Sequence, residues 1–159
     1  MAPKSPGRRA ALVVTALVAG AVLAAGCSSQ EEETPGACLV SSDAYLQALR
    51  AAPGEVTLDG TPISDCLTPD QEGGDLARVG EEMVVAATTL NAQARKDPDG
   101  PAAVQLGYLI GAVSEGADSI HADLVLRLNS AANYSPNQLQ AVEFQRDFGR
   151  GFAAGQESG

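Results

Sequence analysis

Ala103-Val104-Gln105-Leu106-Gly107-Tyr108-Leu109-Ile110-Gly111-Ala112-Val113 carries two helical periods at once. Leu106, Ile110 and Val113 recur at the steps of four and three that place side chains on one face of a helix. Ala103, Gly107 and Gly111 form a second stripe at i, i+4 and i+8. Glycine inside a helix costs up to about 1 kcal/mol relative to alanine, so two in register point to a neighbouring backbone that must come close. Downstream, Ala117, Ile120, Leu124 and Leu128 continue the apolar rhythm, which predicts one helix of nearly 30 residues. Glu115, Asp118 and Asp123 exclude a transmembrane glycine zipper, leaving a soluble helix crossing.

Upstream, Leu76, Val79, Met83, Ala86, Ala87, Leu90 and Ala94 mark the buried face of another amphipathic helix. Thr68-Pro69-Asp70 offers it a start that Gly73-Gly74 delays, and Asp97-Pro98-Asp99-Gly100-Pro101 breaks it. Earlier still, Ser42-Asp43 caps a short helix with Tyr45, Leu46 and Leu49 on one side, stopped by Pro53-Gly54. Val56-Thr57-Leu58-Asp59-Gly60-Thr61-Pro62-Ile63 has the Asp-Gly pair of a tight hairpin, with Pro62 limiting its second strand. Downstream, Ser135-Pro136 opens a last helix on which Phe144, Phe148 and Phe152 form a single ridge. Two readings of that ridge stand: the aromatic side of the core, packed over the glycine stripe, or a ligand groove or partner surface. Arg146 and Arg150, one turn apart beside Asp147, could grip a carboxylate or phosphate or pair with neighbouring acids. The fold expected is mainly α: a bundle of about four helices with a short β-hairpin or ribbon.

The N-terminus has a different character. Lys4, Arg8 and Arg9 precede the uncharged run from Ala10 to Ala25, and Leu23-Ala24-Ala25-Gly26-Cys27 closes it, the layout of an export signal. The pentapeptide resembles the lipobox of bacterial lipoproteins, in which the cysteine, here Cys27, is acylated and becomes the mature N-terminus. The match departs from the family pattern in one place, since Ala24 stands where leucine is preferred. Arg8-Arg9 is compatible with either general or twin-arginine export. Two rival readings stand beside it: an uncleaved signal anchor, for which the apolar run is short of the about 20 residues that a bilayer span needs, and an ordinary secretory signal cut elsewhere, with Cys27 an incidental thiol.

On this reading residues 1–26 are a signal peptide, 27–37 a disordered acidic tether containing Glu31-Glu32-Glu33, 38–155 the helical domain, and 156–159 a disordered tail. The net charge of −10 becomes −13 once the three cations of the leader are gone. Such a domain repels phosphate backbones and anionic headgroups, which excludes nucleic-acid partners and assigns membrane contact to the lipid on Cys27. Aromatic residues are only 4% of the chain and Trp is absent, so the core must be built from Leu, Val, Ile and Ala. With Cys27 assigned to lipid, Cys38 and Cys66 remain as a pair, and in an oxidising compartment they are expected to form a disulfide. Free thiols or metal ligands are the competing states. Metal is disfavoured because His121 is the single histidine and no second cysteine lies at ligand spacing.

No nucleophile elbow, phosphate loop or zinc-protease pattern is found, so no catalytic, cofactor or metal residues are assigned. His121, flanked by Asp118 and Asp123, reads as a surface or half-buried histidine. Leu106–Val113, Leu58-Asp59-Gly60-Thr61 and Phe148-Gly149-Arg150-Gly151-Phe152 together resemble small uncharacterised actinobacterial helical lipoproteins, over roughly residues 56–155. That resemblance implies no activity. The expectation is a non-enzymatic, lipid-anchored protein on the outer face of the cell membrane, acting as a binding or scaffolding module for another envelope component. The alternative is a small-ligand carrier with a groove between the last two helices and Arg146 or Arg150 fixing an anionic group.

Overall fold

The computed structural model describes residues 33–133 and 138–159. Five α-helices are found among these residues: α1 (Ser42–Ala48), α2 (Gly73–Lys96), α3 (Ala102–Gly116), α4 (Ala122–Ala132) and α5 (Gln138–Ser158). A hairpin of β1 (Thr57–Leu58) and β2 (Thr61–Pro62) separates α1 from α2, with Thr57 opposite Pro62 and Leu58 opposite Thr61. Asp59 and Gly60 turn it at φ 48° and 84°, the two positive values a type I′ turn requires. The Cys38–Cys66 disulfide is formed, with Cα atoms 5.5 Å apart, and both cysteines are fully buried. It joins the segment before α1 to the 3₁₀ turn Ser64–Cys66 that follows the hairpin. Closing a loop of this length is worth roughly 3–4 kcal/mol on the chain-entropy account.

α3 is the central element. Every residue from Ala102 to Val113 is buried, because α2, α4, α5 and the turns beside α1 and the hairpin surround it. A helix that is apolar all round has no other place in a small domain. The glycines decide how one of those neighbours sits. A methyl group on Gly107 would strike the carbonyl of Phe148, and one on Gly111 that of Phe152. Reciprocally, Gly151 faces the carbonyl of Val104 and Gly155 that of Tyr108. Thus α3 and α5 meet backbone to backbone through two interleaved glycine pairs, one on each helix. The stripe on α3 is covered by the spine of α5, at the backbone of Phe148 and Phe152.

The single long helix expected from Ala103 to Leu128 is two. Ala117 is extended (ψ 135°), and Asp118 caps a new start by accepting from the Ile120 N–H at 3.0 Å. A short acidic side chain that bonds its own backbone competes with helix continuation. Gly116 also packs against the backbone of Ser64, which ties the end of α3 to the hairpin region. The apolar rhythm ran across the break because Leu124 and Leu128 on α4 face the same core. Ile120, which belonged to that rhythm, is 41% exposed.

The domain borders also differ from expectation. Thr34 is buried and accepts from Gln71 at 2.9 Å, and Gly36–Cys38 form a 3₁₀ turn, so residues from Thr34 onward belong to the fold rather than to a tether. At the other end α5 runs to Ser158, and the Ser158 and Gly159 carbonyls accept from Tyr108 and Ser64, so residues 156–159 are an exposed helix end tied to the fold rather than a tail. The expected cap at Ser135-Pro136 lies outside the described residues. No described helix is long and apolar enough to cross a membrane.

Candidate functional site

The residues singled out in the sequence fall at separate places. Cys27 lies outside the described residues. Phe144, Phe148 and Phe152 stack in series along α5, with ring centroids 5.8 and 6.3 Å apart. Phe144 is buried, while Phe148 and Phe152 are half-buried against the core, so the ridge serves packing first. Arg146 and Arg150 are exposed and converge on Asp147, at 3.1 and 3.6 Å from the same Oδ1. That carboxylate holds the Arg146 guanidinium further above its ordinary range and occupies both cations. Where α3 and α5 cross, they touch backbone to backbone at Gly107, Gly111, Gly151 and Gly155.

His121 corrects another expectation: it is wholly buried, not at the surface. Its Nε2 lies 3.2 Å from Gln71 Oε1, and Gln71 Nε2 donates to Thr34 Oγ1 and to the Cys66 carbonyl. A carbonyl only accepts, so the Gln71 amide nitrogen must face Cys66 and its oxygen must face the histidine. Nε2 of His121 therefore carries the proton it donates. The Asp118 N–H donates to Nδ1 at 3.1 Å, and Asp118 Oδ1 lies 2.9 Å away. The chain Asp118–His121–Gln71–Thr34 thus runs under the disulfide, every member satisfied. It ties the start of α4 to the Cys66 turn.

The start of α1 has a comparable tertiary lock. Glu82 on α2 accepts from the Ser42 N–H at 2.6 Å, supplying from another helix the cap that no side chain of α1 provides. Below it Tyr45 is fully buried and donates to the Cys38 carbonyl at 2.9 Å. Burial, and then the charge of Glu82, pushes the Tyr45 hydroxyl well above its ordinary range. Tyr108 does similar work at the end of the glycine seam: its hydroxyl accepts from the Val56 N–H at 3.1 Å and donates to the Ser158 carbonyl at 2.9 Å.

A groove of about 600 Å³ lies between α1, α2 and the start of α3. Its polar lining is Asp43, Gln47 and Arg50 from α1 and the turn after it, Gln93 from α2, and Gln105 from α3. Leu46 and the buried Leu90 make its apolar floor. Gln105 is only 7% exposed and makes no side-chain hydrogen bond among the described residues. No sealed side-chain nitrogen or oxygen among those residues lacks a partner, so the Gln105 amide opens into the groove. Arg50 and Asp43 are exposed and make no ion pair among the described residues.

Sequence reading missed this groove, as it missed Gln71 and Glu82. Glutamine carries no motif, and an i, i+7 Asp–Arg pair on a short helix looks like ordinary surface. The one available signal was Gln105 itself, a polar residue inside an otherwise apolar helical run. No family model matches the chain, and no curated protein or solved structure matches it either. No described group of three or more His, Cys, Asp or Glu side chains is placed to hold a metal ion.

Proposed function

We propose that this chain is an exported, lipid-anchored envelope protein that acts as a non-enzymatic binding module. One observation carries the reading: two of the three cysteines are paired with each other, while the third stands in the lipobox-like Leu23-Ala24-Ala25-Gly26-Cys27. Structural disulfides persist in oxidising compartments, which accords with export. Two acyl chains on Cys27 would supply stable anchoring, at about 0.8 kcal/mol per buried methylene. Seven residue steps separate Cys27 from Thr34, so the leash reaches at most about 25 Å and keeps the domain close to the bilayer.

The test is fractionation of cells producing the wild type or Cys27→Ala, with intact mass measured on each. Wild type is expected in the membrane fraction with a diacylated Cys27 at its N-terminus, and Cys27→Ala in the soluble fraction. An unprocessed leader, or membrane retention of Cys27→Ala, refutes the anchor. The second reading, a small-ligand carrier, is favoured by the groove that Gln105 opens into, between α1, α2 and α3 rather than between the last two helices.

A further inference from the structure

We propose that the groove between α1, α2 and α3 binds a short peptide with free termini, its carboxylate at Arg50 and its ammonium at Asp43. The inference deepens the carrier reading of that groove and is independent of the lipid anchor. Three features of the groove have to be explained together. The Gln105 side chain, on a residue only 7% exposed, makes no hydrogen bond to a described residue and opens into the groove, where a ligand could take up its donor and acceptor. Arg50, a guanidinium without a described ion pair, sits in the turn that packs against α3. Pro101 opens α3 with no side-chain cap, and both Pro101 and Gln105, one turn further in, line the groove. The positive end of a 15-residue helix therefore borders the same space as Arg50. This end of the groove is built for an anion.

The other end carries the opposite sign. Asp43 lies seven residues before Arg50, about 10 Å back along the helix axis. A simple anion would meet repulsion there, and a dicarboxylate more so; a diamine would meet Arg50. A zwitterion with its charges held apart satisfies both. Between the ends stand the Gln47 and Gln93 amides over the apolar floor of Leu46 and Leu90. A primary amide can donate to one peptide carbonyl and accept from one peptide N–H, which is the pairing an extended backbone offers. Three residues in extended conformation cover about 10 Å, the spacing of the two charges. The volume of about 600 Å³ lies within the ordinary range of ligand sites.

The experiment is calorimetric titration of the full-length, detergent-solubilised protein, disulfide intact, with tri-alanine as the probe. Its N-acetylated and C-amidated forms serve as second and third arms. Wild type is expected to bind tri-alanine about tenfold more tightly than either blocked form, the size of a lost charge-assisted hydrogen bond. Arg50→Gln should abolish discrimination against the amide, and Asp43→Asn discrimination against the acetyl form. Gln105→Leu should weaken all three peptides while its thermal midpoint stays level or rises, which separates a lost contact from a damaged fold. Absence of binding at millimolar tri-alanine, or equal affinity across the three variants, overturns the proposal. A protein that binds the peptide yet proves unlipidated would refute the anchor and leave the groove standing.

Discussion

The seam between α3 and α5 and the polar chain beneath the disulfide are both buried, yet they are held by opposite means. The seam is made of absences: Gly107, Gly111, Gly151 and Gly155 remove side chains so that two backbones touch. The region around Cys66 is made of partners: a covalent bond, then His121, Gln71 and Thr34 in a line of directional hydrogen bonds. The first fixes a distance and is indifferent to chemistry. The second fixes an orientation and depends on every donor meeting its acceptor. A protein with so few aromatics gains from both, because close approach raises the dispersion contact of small residues while polar locks add specificity that alanine packing lacks.

The largest expected effect falls on the seam. Gly107→Val adds a branched side chain whose Cβ alone would overlap the Phe148 carbonyl, and rigid backbones cannot yield as a side-chain end can. A loss of about 3 kcal/mol or more is expected in urea unfolding; an unchanged midpoint would mean the helices are not in contact there. Next comes the polar chain. His121→Leu leaves Gln71 Oε1 and the Asp118 N–H without partners and should cost about 2–3 kcal/mol. Combined with Gln71→Leu, the loss should fall short of the two single losses together by about 0.5–3 kcal/mol, the sign of a coupled pair. Strict additivity would show that the two side chains act separately.

The third test uses Tyr45, at the edge of the disulfide region. Its folded-state proton is held above the ordinary value near 10. Below that pH the hydroxyl is neutral in both states and its contribution is fully present. As pH rises further the unfolded chain ionises first, so stability falls progressively on the alkaline side. Thermal midpoints from about pH 9 to about pH 11.5 should drop more steeply in wild type than in Tyr45→Phe; parallel curves would place the hydroxyl in water. The smallest effect, and the control for the seam, is Gly149→Ala. An added methyl there meets nothing within 4 Å, so helix propensity alone should act, raising stability by up to about 1 kcal/mol.

Some of this was legible beforehand because its causes are local. Val79, Met83, Leu90 and Ala94 share a face because the helix repeats every 3.6 residues, and all four are buried. Asp59-Gly60 turns because its backbone tolerates positive φ. Cys38 and Cys66 were paired by elimination. What stayed hidden is what a distant partner supplies. Gln71 and His121 are 50 residues apart, and Ser42 finds its cap on Glu82, 40 residues on. The glycine stripe on α3 could be read, but its complement at Gly151 and Gly155 lies on another helix and becomes a partner only when the two are brought together.

The chain's own letters thus determined that this is a helical bundle with one tight hairpin, since periodicity and turn chemistry need no neighbour; of its three cysteines they offered Cys38 and Cys66 as a pair, and the fold brings those two together. Only the tertiary structure decided that the long apolar run breaks at Asp118, that Arg146 and Arg150 close on Asp147, and that Gln105 is left facing a groove between unpaired charges. The physical reason is that satisfaction of a polar group or a close contact is a property of pairs, and the pairs exist only after the chain has folded.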